Sequence, residues 1–157
     1  DIVEAGYKCN MTDMSAAIGL VELERYDNDT QIKRKQIFDT YQAAFSKDNR
    51  FQVPVYHTDS KVGCYHLYPL RINGITEEQR DTIMKEIFDC DVSVNVHFIP
   101  VPAMTFYKNL GYDLKNYPVT YDNFSREISL PVFYNLTNEQ TQTVISAVIK
   151  SVDKVIN

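Results

Sequence analysis

No apolar run in the sequence approaches the roughly 20 residues that a helix needs to cross a bilayer, and no signal peptide is visible at its start. The chain also lacks an excess of positive charge, because 16 Lys and Arg stand against 21 Asp and Glu, for a net charge of -5. Nucleic-acid binding usually shows as a basic patch or an excess of Lys and Arg. We therefore expect a cytoplasmic protein with neither a membrane nor a nucleic acid as partner.

Cysteine is scarce, and no pattern of side chains predicts a metal site. The three cysteines, Cys9, Cys64 and Cys90, are odd in number and lack metal-ligand spacing. No His-x-x-x-His pair, Cys-x-x-Cys pair or acidic cluster supports a metal centre, and nothing local activates a cysteine as a nucleophile. The simplest interpretation is three free thiols in a reducing compartment.

The length and the composition predict one globular domain. The 157 residues are enough for a domain with a real core. A composition of 44% hydrophobic and 24% charged residues is ordinary for a soluble globular protein. No linker suggests a second domain, so residues 1–157 are treated as one unit. The chain begins with Asp1 rather than Met, and we expect a processed chain or a fragment.

Helix starts are the clearest local signals. Residues 12–13 offer side chains that accept hydrogen bonds from the first turn of a helix. After a break at residues 27–29, a second helix is expected over about 30–46, with an apolar face. Capping boxes at residues 76–79 and 137–140 open two further helices. The first of these carries Ile83, Met84, Ile87 and Phe88 on one face, and the last presents a broad apolar stripe.

Four short segments have strand character: residues 51–55, 64–72, 92–98 and 128–131. The order strand, helix, strand over residues 64–98 suggests a crossover unit. The sum predicts an α+β fold with three to four short strands covered by helices, preceded by a long helical lead-in.

The three histidines differ in their surroundings. His57 lies in a polar loop and is predicted to be a surface residue. His66 and His97 each lie in a strand pattern beside aromatic residues. From the pattern alone, each of these two is more typical of a hydrogen-bonded structural residue than of a ligand-binding one.

Two donor side chains, Lys8 and Asn10, stand just before the first predicted helix. An ammonium, an amide and the free N–H groups of a helix start together suit a phosphate. Polar residues are also common before helices, so an ordinary helix start is the competing interpretation. Ser15, Ala16 and Gly19 leave that helix bare enough for another backbone to approach it closely.

Four motifs, in order along the chain, resemble one known family. They are Gly-Tyr-Lys-Cys-Asn-Met-Thr-Asp-Met-Ser-Ala-Ala-Ile-Gly-Leu at residues 6–20, the His-Leu-aromatic segment at 65–72, the His-Phe-x-Pro segment at 96–102 and the Leu-Pro-x-aromatic ending at 125–133. The chain resembles, over essentially its whole length, the DegT/DnrJ/EryC1/StrS family of sugar aminotransferases, which use pyridoxal 5'-phosphate (PLP).

The resemblance implies that residues 1–157 are the C-terminal small domain, with lead-in helices, of a fold-type I PLP aminotransferase. Such enzymes are homodimers with active sites at the subunit interface. They transfer an amino group, usually from glutamate, to a nucleotide-linked keto sugar, and their products feed polysaccharide or lipopolysaccharide synthesis.

The resemblance also implies site residues. The loop matching Tyr7, Lys8 and Asn10 reaches the neighbouring subunit and contacts the cofactor phosphate there. The segment matching His97 lies near the nucleotide-sugar site. The candidate substrate-binding residues are His66, His97 and Phe98.

The resemblance carries over no catalytic residue. In the family, the Schiff-base lysine, the aromatic residue that stacks on the cofactor ring and the acid that pairs with the ring nitrogen all lie upstream of the matched segment. The isolated chain is therefore expected to lack both PLP and transaminase activity, and the intact enzyme to have both.

The sequence departs from the family at three positions. Many members carry Asn where Lys8 stands and Arg where Asn10 stands, and the family often has a second histidine where Pro102 stands. Two alternatives remain: a non-catalytic α+β interaction or ligand-binding domain, and a PLP sugar dehydratase of the same family. The upstream residue, lysine or histidine, distinguishes the transaminase from the dehydratase.

Overall fold

The computed structural model describes residues 1–6 and 11–156. Its elements, in chain order, are α1 (Asp13–Arg25), α2 (Gln31–Phe45), β1 (Phe51–Gln52), β2 (His57–Thr58), β3 (Lys61–Val62), β4 (Tyr68–Ile72), α3 (Glu77–Phe88), α4 (Thr105–Asn109), α5 (Pro118–Ser125), β5 (Glu127–Leu130) and α6 (Asn138–Ile156). Short strands and covering helices make an α+β fold, as the sequence predicts. A three-stranded sheet has the order β1-β4-β5, and β2 and β3 form a separate hairpin.

The two lead-in helices form one continuous helical path. Thr12 caps α1 by accepting the Ser15 N–H at 3.3 Å, which confirms the predicted start. The predicted break at residues 27–29 is wrong, because a π-helical turn, Tyr26–Thr30, joins α1 to α2. Asp29 stays helical in this turn since it pairs with Arg25 at 3.2 Å and Lys33 at 3.4 Å, about one turn away on either side.

The central strand β4 pairs antiparallel with β1 on one side and with β5 on the other. Phe51 lies opposite Ile72, and Leu70 lies opposite Ile128. Tyr68, Leu70 and Ile72 are completely buried, so one face of the sheet belongs to the core. The other face carries polar side chains and is the base of the site described below.

Two predicted strands are shorter than the sequence indicates. The segment 51–55 pairs only over β1, and Pro54 lies outside the ladder. The segment 64–72 becomes a strand only from Tyr68, because Tyr65 has a φ of 52°, a left-handed conformation that a pleated strand does not contain. The β2–β3 hairpin that precedes it was not predicted.

The predicted strand at residues 92–98 is wrong, because one isolated bridge, from Asn95 to Ser129, is its only strand-like pairing in the described chain. The next two backbone N–H groups donate to side chains rather than to a strand. The Val96 N–H donates to Asn95 Oδ1 at 2.8 Å, and the His97 N–H donates to the Glu127 carboxylate at 3.2 Å. The bridge makes the segment antiparallel to β5, and β5 is antiparallel to β4. The segment therefore runs parallel to β4, and α3 is the crossover connection between them, as predicted.

The core lies between the sheet and the helices α2, α3 and α6. Both capping boxes are present, with Thr76 and Gln79 bonding reciprocally before α3 and Thr137 and Gln140 before α6. Phe88, predicted on the apolar face of α3, is instead 48% exposed. The largest completely buried side chains are Tyr41, Phe45, Tyr68, Leu70, Ile72, Ile83, Ile87, Val148 and Val152.

Candidate functional site

Two cavities meet at His97 on the polar face of the sheet. The larger cavity, of about 470 Å³, lies between the sheet and α5. It is lined by Pro69, Arg71, His97, Phe98, Pro100, Val119, Thr120, Asn123, Phe124 and Glu127. The smaller cavity, of ≈ 220 Å³, lies beside it. It is lined by His66, Leu67, Ser93, Val94, Asn95, His97, Ser129, Leu130, Pro131 and Val132.

His97 stands on the wall that the two cavities share. Its backbone N–H donates to Glu127 Oε2 at 3.2 Å, which fixes the segment against β5. Its ring meets the Phe98 ring edge to face, with 4.6 Å between the ring centroids. The Nδ1 atom is buried and finds no hydrogen-bond partner among the described residues. A ligand in either cavity would therefore meet the His97 side chain.

Glu127 is a buried carboxylate in the larger cavity. It is only 6% exposed, and its Oε1 accepts a hydrogen bond from the Ser129 hydroxyl at 2.6 Å. Burial raises the pKa of the Glu127 carboxyl, while the hydrogen bonds from Ser129 and His97 and the charges of His97 and Arg80 oppose that rise. The group is thus easier to protonate than an exposed glutamate.

Arg71 brings a positive charge to the same cavity. One guanidinium nitrogen donates to Asn123 Oδ1, and Asn123 in turn donates to the Val119 carbonyl at 2.7 Å. The buried Arg71 Nε has no partner among the described residues. A guanidinium held at a cavity wall with spare donors suits an anionic group such as a phosphate.

The three predicted substrate residues lie at these two cavities. His66 and His97 line the smaller cavity together, and Phe98 lines the larger one with its side chain 70% exposed. His66 Nδ1 lies 3.1 Å from an Arg34 guanidinium nitrogen. His57 is exposed on β2, as predicted. The structure thus brings His66 and His97, which are 31 positions apart in the chain, to one cavity.

Sequence reasoning missed Arg71, Asn123 and Glu127. The available signal was a charged residue inside each of two short apolar runs, at residues 68–72 and 127–130. A charge in such a run is normally assigned to the solvent side of a strand. Only the tertiary structure shows that the two side chains face a cavity that α5 closes.

The predicted cofactor loop lies outside the described residues. Tyr7, Lys8 and Asn10 belong to the segment 7–10, for which the structure gives no placement. The described neighbour is Thr12, the N-cap of α1, so this donor-rich segment directly precedes a helix N-terminus. Across residues 1–6 and 11–156, no three His, Cys, Asp or Glu side chains cluster as a metal site would require. No helix in that part of the chain combines the length and the apolar character that crossing a membrane requires.

The surface of α1 is unusual for a helix of a folded domain. None of its residues is buried in the described chain, although it carries large apolar side chains. The exposed ones are Met14, Ile18, Leu20, Val21 and Leu23. We call these five residues the apolar α1 surface. Large apolar side chains exposed on several sides of one helix are typical of an interaction surface.

Solved structures define the class of this fold. The chain superposes on Spr1654 of Streptococcus pneumoniae, which is assigned as a sugar aminotransferase, with a TM-score of 0.88, 38% identity and 100% of this chain covered in the PLP form. The apo form gives the same TM-score with 99% of the chain covered. Helicobacter pylori PseC, an aminotransferase involved in pseudoaminic acid biosynthesis, matches in fold with a TM-score of 0.80 at 22% identity and 98% coverage of this chain. The architecture is that of part of a fold-type I PLP aminotransferase.

The family model for the DegT/DnrJ/EryC1/StrS aminotransferase family matches residues 2–149, and the chain belongs to that family. A curated relative is the spore coat polysaccharide biosynthesis protein SpsC of Bacillus subtilis (strain 168), 33% identical over 94% of this chain and 38% of its own length. Another, from Campylobacter jejuni, is a UDP-4-amino-4,6-dideoxy-N-acetyl-beta-L-altrosamine transaminase, 27% identical over 99% of this chain. The chain spans about two fifths of the length of such relatives, 38% of SpsC and 40% of the Spr1654 chain in its PLP form.

Proposed function

We propose that this chain is the C-terminal small domain, with lead-in helices, of a PLP-dependent aminotransferase. The enzyme transfers an amino group, with glutamate as donor, to a nucleotide-linked keto sugar for polysaccharide or lipopolysaccharide synthesis. The observation that carries this proposal is the match over the full chain to Spr1654, which was also solved in its PMP form with a TM-score of 0.88 and 39% identity. PMP is the form of the cofactor that holds the amino group between the two halves of a transamination.

The residues of this chain fit one part of the cofactor. When bound, PLP supplies an electron sink for transfer of the amino group. The Lys8 ammonium, the Asn10 amide and the Tyr7 hydroxyl are donors that come shortly before α1 in the sequence. Donors at a helix N-terminus suit the phosphate group of the cofactor. These residues would hold that phosphate, and other parts of the enzyme would supply the reacting lysine.

The two cavities would hold the sugar nucleotide. Arg71 offers its guanidinium to a phosphate of the nucleotide, and Phe98 offers an exposed ring for apolar or stacking contact. His66 and His97 line the smaller cavity and can bond to hydroxyl groups of a sugar. The side-chain partner of the Arg71 guanidinium is the neutral Asn123, so no ion pair among the described residues neutralises its charge.

The same proposal includes assembly and location. A homodimer would cover the apolar α1 surface and bring the Tyr7 to Asn10 loop of one subunit to the cofactor of the other. A cytoplasmic location agrees with the free thiols of Cys64 and Cys90.

The direct test uses the protein that contains this chain, loaded with PLP. Mixed with glutamate and then with a panel of nucleotide-linked keto sugars, it should convert the absorption of PLP to that of PMP and back, and release an amino sugar. A deoxy keto sugar without new nitrogen would favour the dehydratase. Failure to take up PLP at all would favour the non-catalytic domain and contradict the proposal.

Replacing both Lys8 and Asn10 by alanine should weaken PLP retention at least about tenfold, because each loses a hydrogen bond to a charged group. The measurement is PLP absorbance remaining after dialysis of the loaded enzyme. The matched control is the pair Lys115→Ala and Asn116→Ala, two exposed residues of the same types in the turn before α5. Equal PLP retention in the two double variants would contradict the role assigned to the loop.

A further inference from the structure

Glu127 lies opposite Arg71 in the sheet without pairing with it. The two residues are cross-strand partners of β5 and β4, and both line the larger cavity. Opposite charges in such positions normally attract each other. Among the described residues, however, they form no ion pair: Arg71 bonds to Asn123, and the Glu127 carboxylate bonds to Ser129 and His97. The carboxylate is therefore committed to the segment that carries His97.

That segment is fastened to β5 at two points. Asn95 and Ser129 exchange backbone hydrogen bonds of 3.3 and 2.7 Å, and Glu127 accepts the His97 N–H two residues further on. The Ser129 hydroxyl bonds to the other carboxylate oxygen and so orients it. Beyond His97, Phe98 is largely exposed. The hydrogen bond from the His97 N–H to Glu127 is thus the last one that joins this segment to β5.

Using a buried carboxylate as the acceptor of the His97 N–H lowers the stability of the fold. Its pKa is raised in the folded state, so its contribution to stability is fully present below the unfolded pKa and is lost as pH rises through the folded pKa. Once ionised, the buried carboxylate therefore opposes folding. In return, a hydrogen bond to an ionised acceptor is roughly twice as strong as a neutral one. The Glu127 carboxylate thus lowers the free energy of unfolding but holds the His97 backbone with a stronger hydrogen bond.

We propose that Glu127 is a positioning residue for the nucleotide-sugar site, which rests on the function proposed above. Its buried carboxylate holds the His97 backbone against β5 and thereby keeps the His97 ring on the wall between the two cavities. The ring then lines both cavities, where a bound substrate would meet it. Glu127 acts through His97 and takes no part in the chemical step.

The role predicts a pH dependence of substrate binding. The charged and titratable groups that face Glu127 are Arg71 from β4, Arg80 from α3, Tyr56 from the segment before β2, and His97 itself, while Asp122 on α5 pairs with Arg126. As pH falls through the raised pKa of Glu127, the carboxylate gains a proton and its bond to the His97 N–H weakens. The KM for the nucleotide sugar should therefore rise toward acid pH.

The test is Glu127→Gln in the PLP-loaded protein that contains this chain. At neutral pH we expect KM for the nucleotide sugar to rise about tenfold, the effect of losing one charge-assisted bond, with kcat changed less than about twofold. The acid rise of KM should disappear in the variant. Ser129→Ala, which removes only the orienting hydroxyl, should give a smaller rise in KM. The control is Glu86→Gln, because Glu86 on α3 pairs with the exposed Lys154 of α6 and lines neither cavity.

A second measurement does not need turnover. Hydrogen exchange of the peptide containing His97 should be faster in Glu127→Gln than in the wild type at the same pH, while exchange in α6 stays unchanged. Unchanged exchange at His97 would overturn the role. Equal loss of kcat and affinity with a lower unfolding temperature and an unaltered pH profile would also overturn it, in favour of a purely structural residue.

The outcomes separate this role from the proposed function. A wild-type enzyme that aminates a nucleotide-linked keto sugar, with the same KM and pH profile in Glu127→Gln, would overturn the positioning role alone. A PLP-loaded wild type that aminates no nucleotide-linked sugar would overturn the proposed function and the substrate part of this role together.

Discussion

Replacing Arg80 by methionine should lower the free energy of unfolding by about 3–5 kcal/mol, because two buried carbonyl groups lose a charged donor at once. Arg80 is 2% exposed, and its Nη1 donates to the Phe124 carbonyl at 2.8 Å and to the Glu127 carbonyl at 3.3 Å. The guanidinium also lies 5.0 Å from the centroid of the Phe124 ring. Methionine fills much of the space but donates nothing. Urea unfolding followed by circular dichroism measures the loss.

Arg80 also pairs with Asp81 at 2.6 Å and with Glu77 at 3.6 Å, so the control measures what the loss of an ion pair contributes by itself. Lys154 pairs with Glu86 at 2.5 Å, but its side chain is 63% exposed. Lys154→Met should cost less than about 1 kcal/mol, since exposed pairs contribute little. Similar losses in the two variants would show that the carbonyl contacts of Arg80 carry no special weight. A large loss only in Arg80→Met would mean that this side chain fixes the corner between α5 and β5.

That corner is also part of the larger cavity. Phe124 and Glu127 line it from α5 and β5, and Arg80 bonds to the backbone of both from behind, on α3. Arg80 lies in the first turn of α3 among Glu77, Glu78 and Asp81, so its pattern is that of a solvent-exposed residue. Its burial depends on a carbonyl pair 44 and 47 residues away, which no local pattern contains.

Local chemistry explains which elements could be predicted. Thr12, Thr76 and Thr137 each bond to a backbone N–H three residues ahead, so the sequence around each one contains everything that defines the helix start. The segment 92–98 alternates like a strand, yet Glu127 accepts the His97 N–H in place of a neighbouring strand. That bond joins residues 30 apart, and alternation alone carries no information about it.

In the candidate site, too, the features that depend on distant contacts could not be predicted from local sequence. The residue pattern around His66 and His97 indicated structural residues, and only the family motifs marked them as substrate-binding. The structure places both at one cavity, because Tyr65 turns its own ring into the core while His66 stays exposed. Arg71 and Glu127 were missed because their function as cavity walls depends on α5, which meets the sheet only in three dimensions.

Ile18→Asp should abolish dimer formation and, with it, most PLP retention. Ile18 is 67% exposed on α1, in the middle of the apolar α1 surface. If this surface packs against a second subunit, as proposed, the substitution removes a contribution of about 1.5–3 kcal/mol and buries an unpaired carboxylate. In a two-fold symmetric dimer the change occurs twice, so we expect the dissociation constant to rise at least about 100-fold.

Sedimentation at several concentrations measures the effect, and Val62→Asp is the matched control. Val62 is an aliphatic residue of similar exposure, 63%, but lies on β3 outside the apolar α1 surface. Dissociation of Ile18→Asp alone supports the dimer. Unfolding or aggregation of that variant without dissociation would mean that α1 packs within its own subunit. In a dissociated but folded protein, weak PLP retention would follow from the loss of the partner's loop, since the proposed role of Tyr7, Lys8 and Asn10 requires the second subunit.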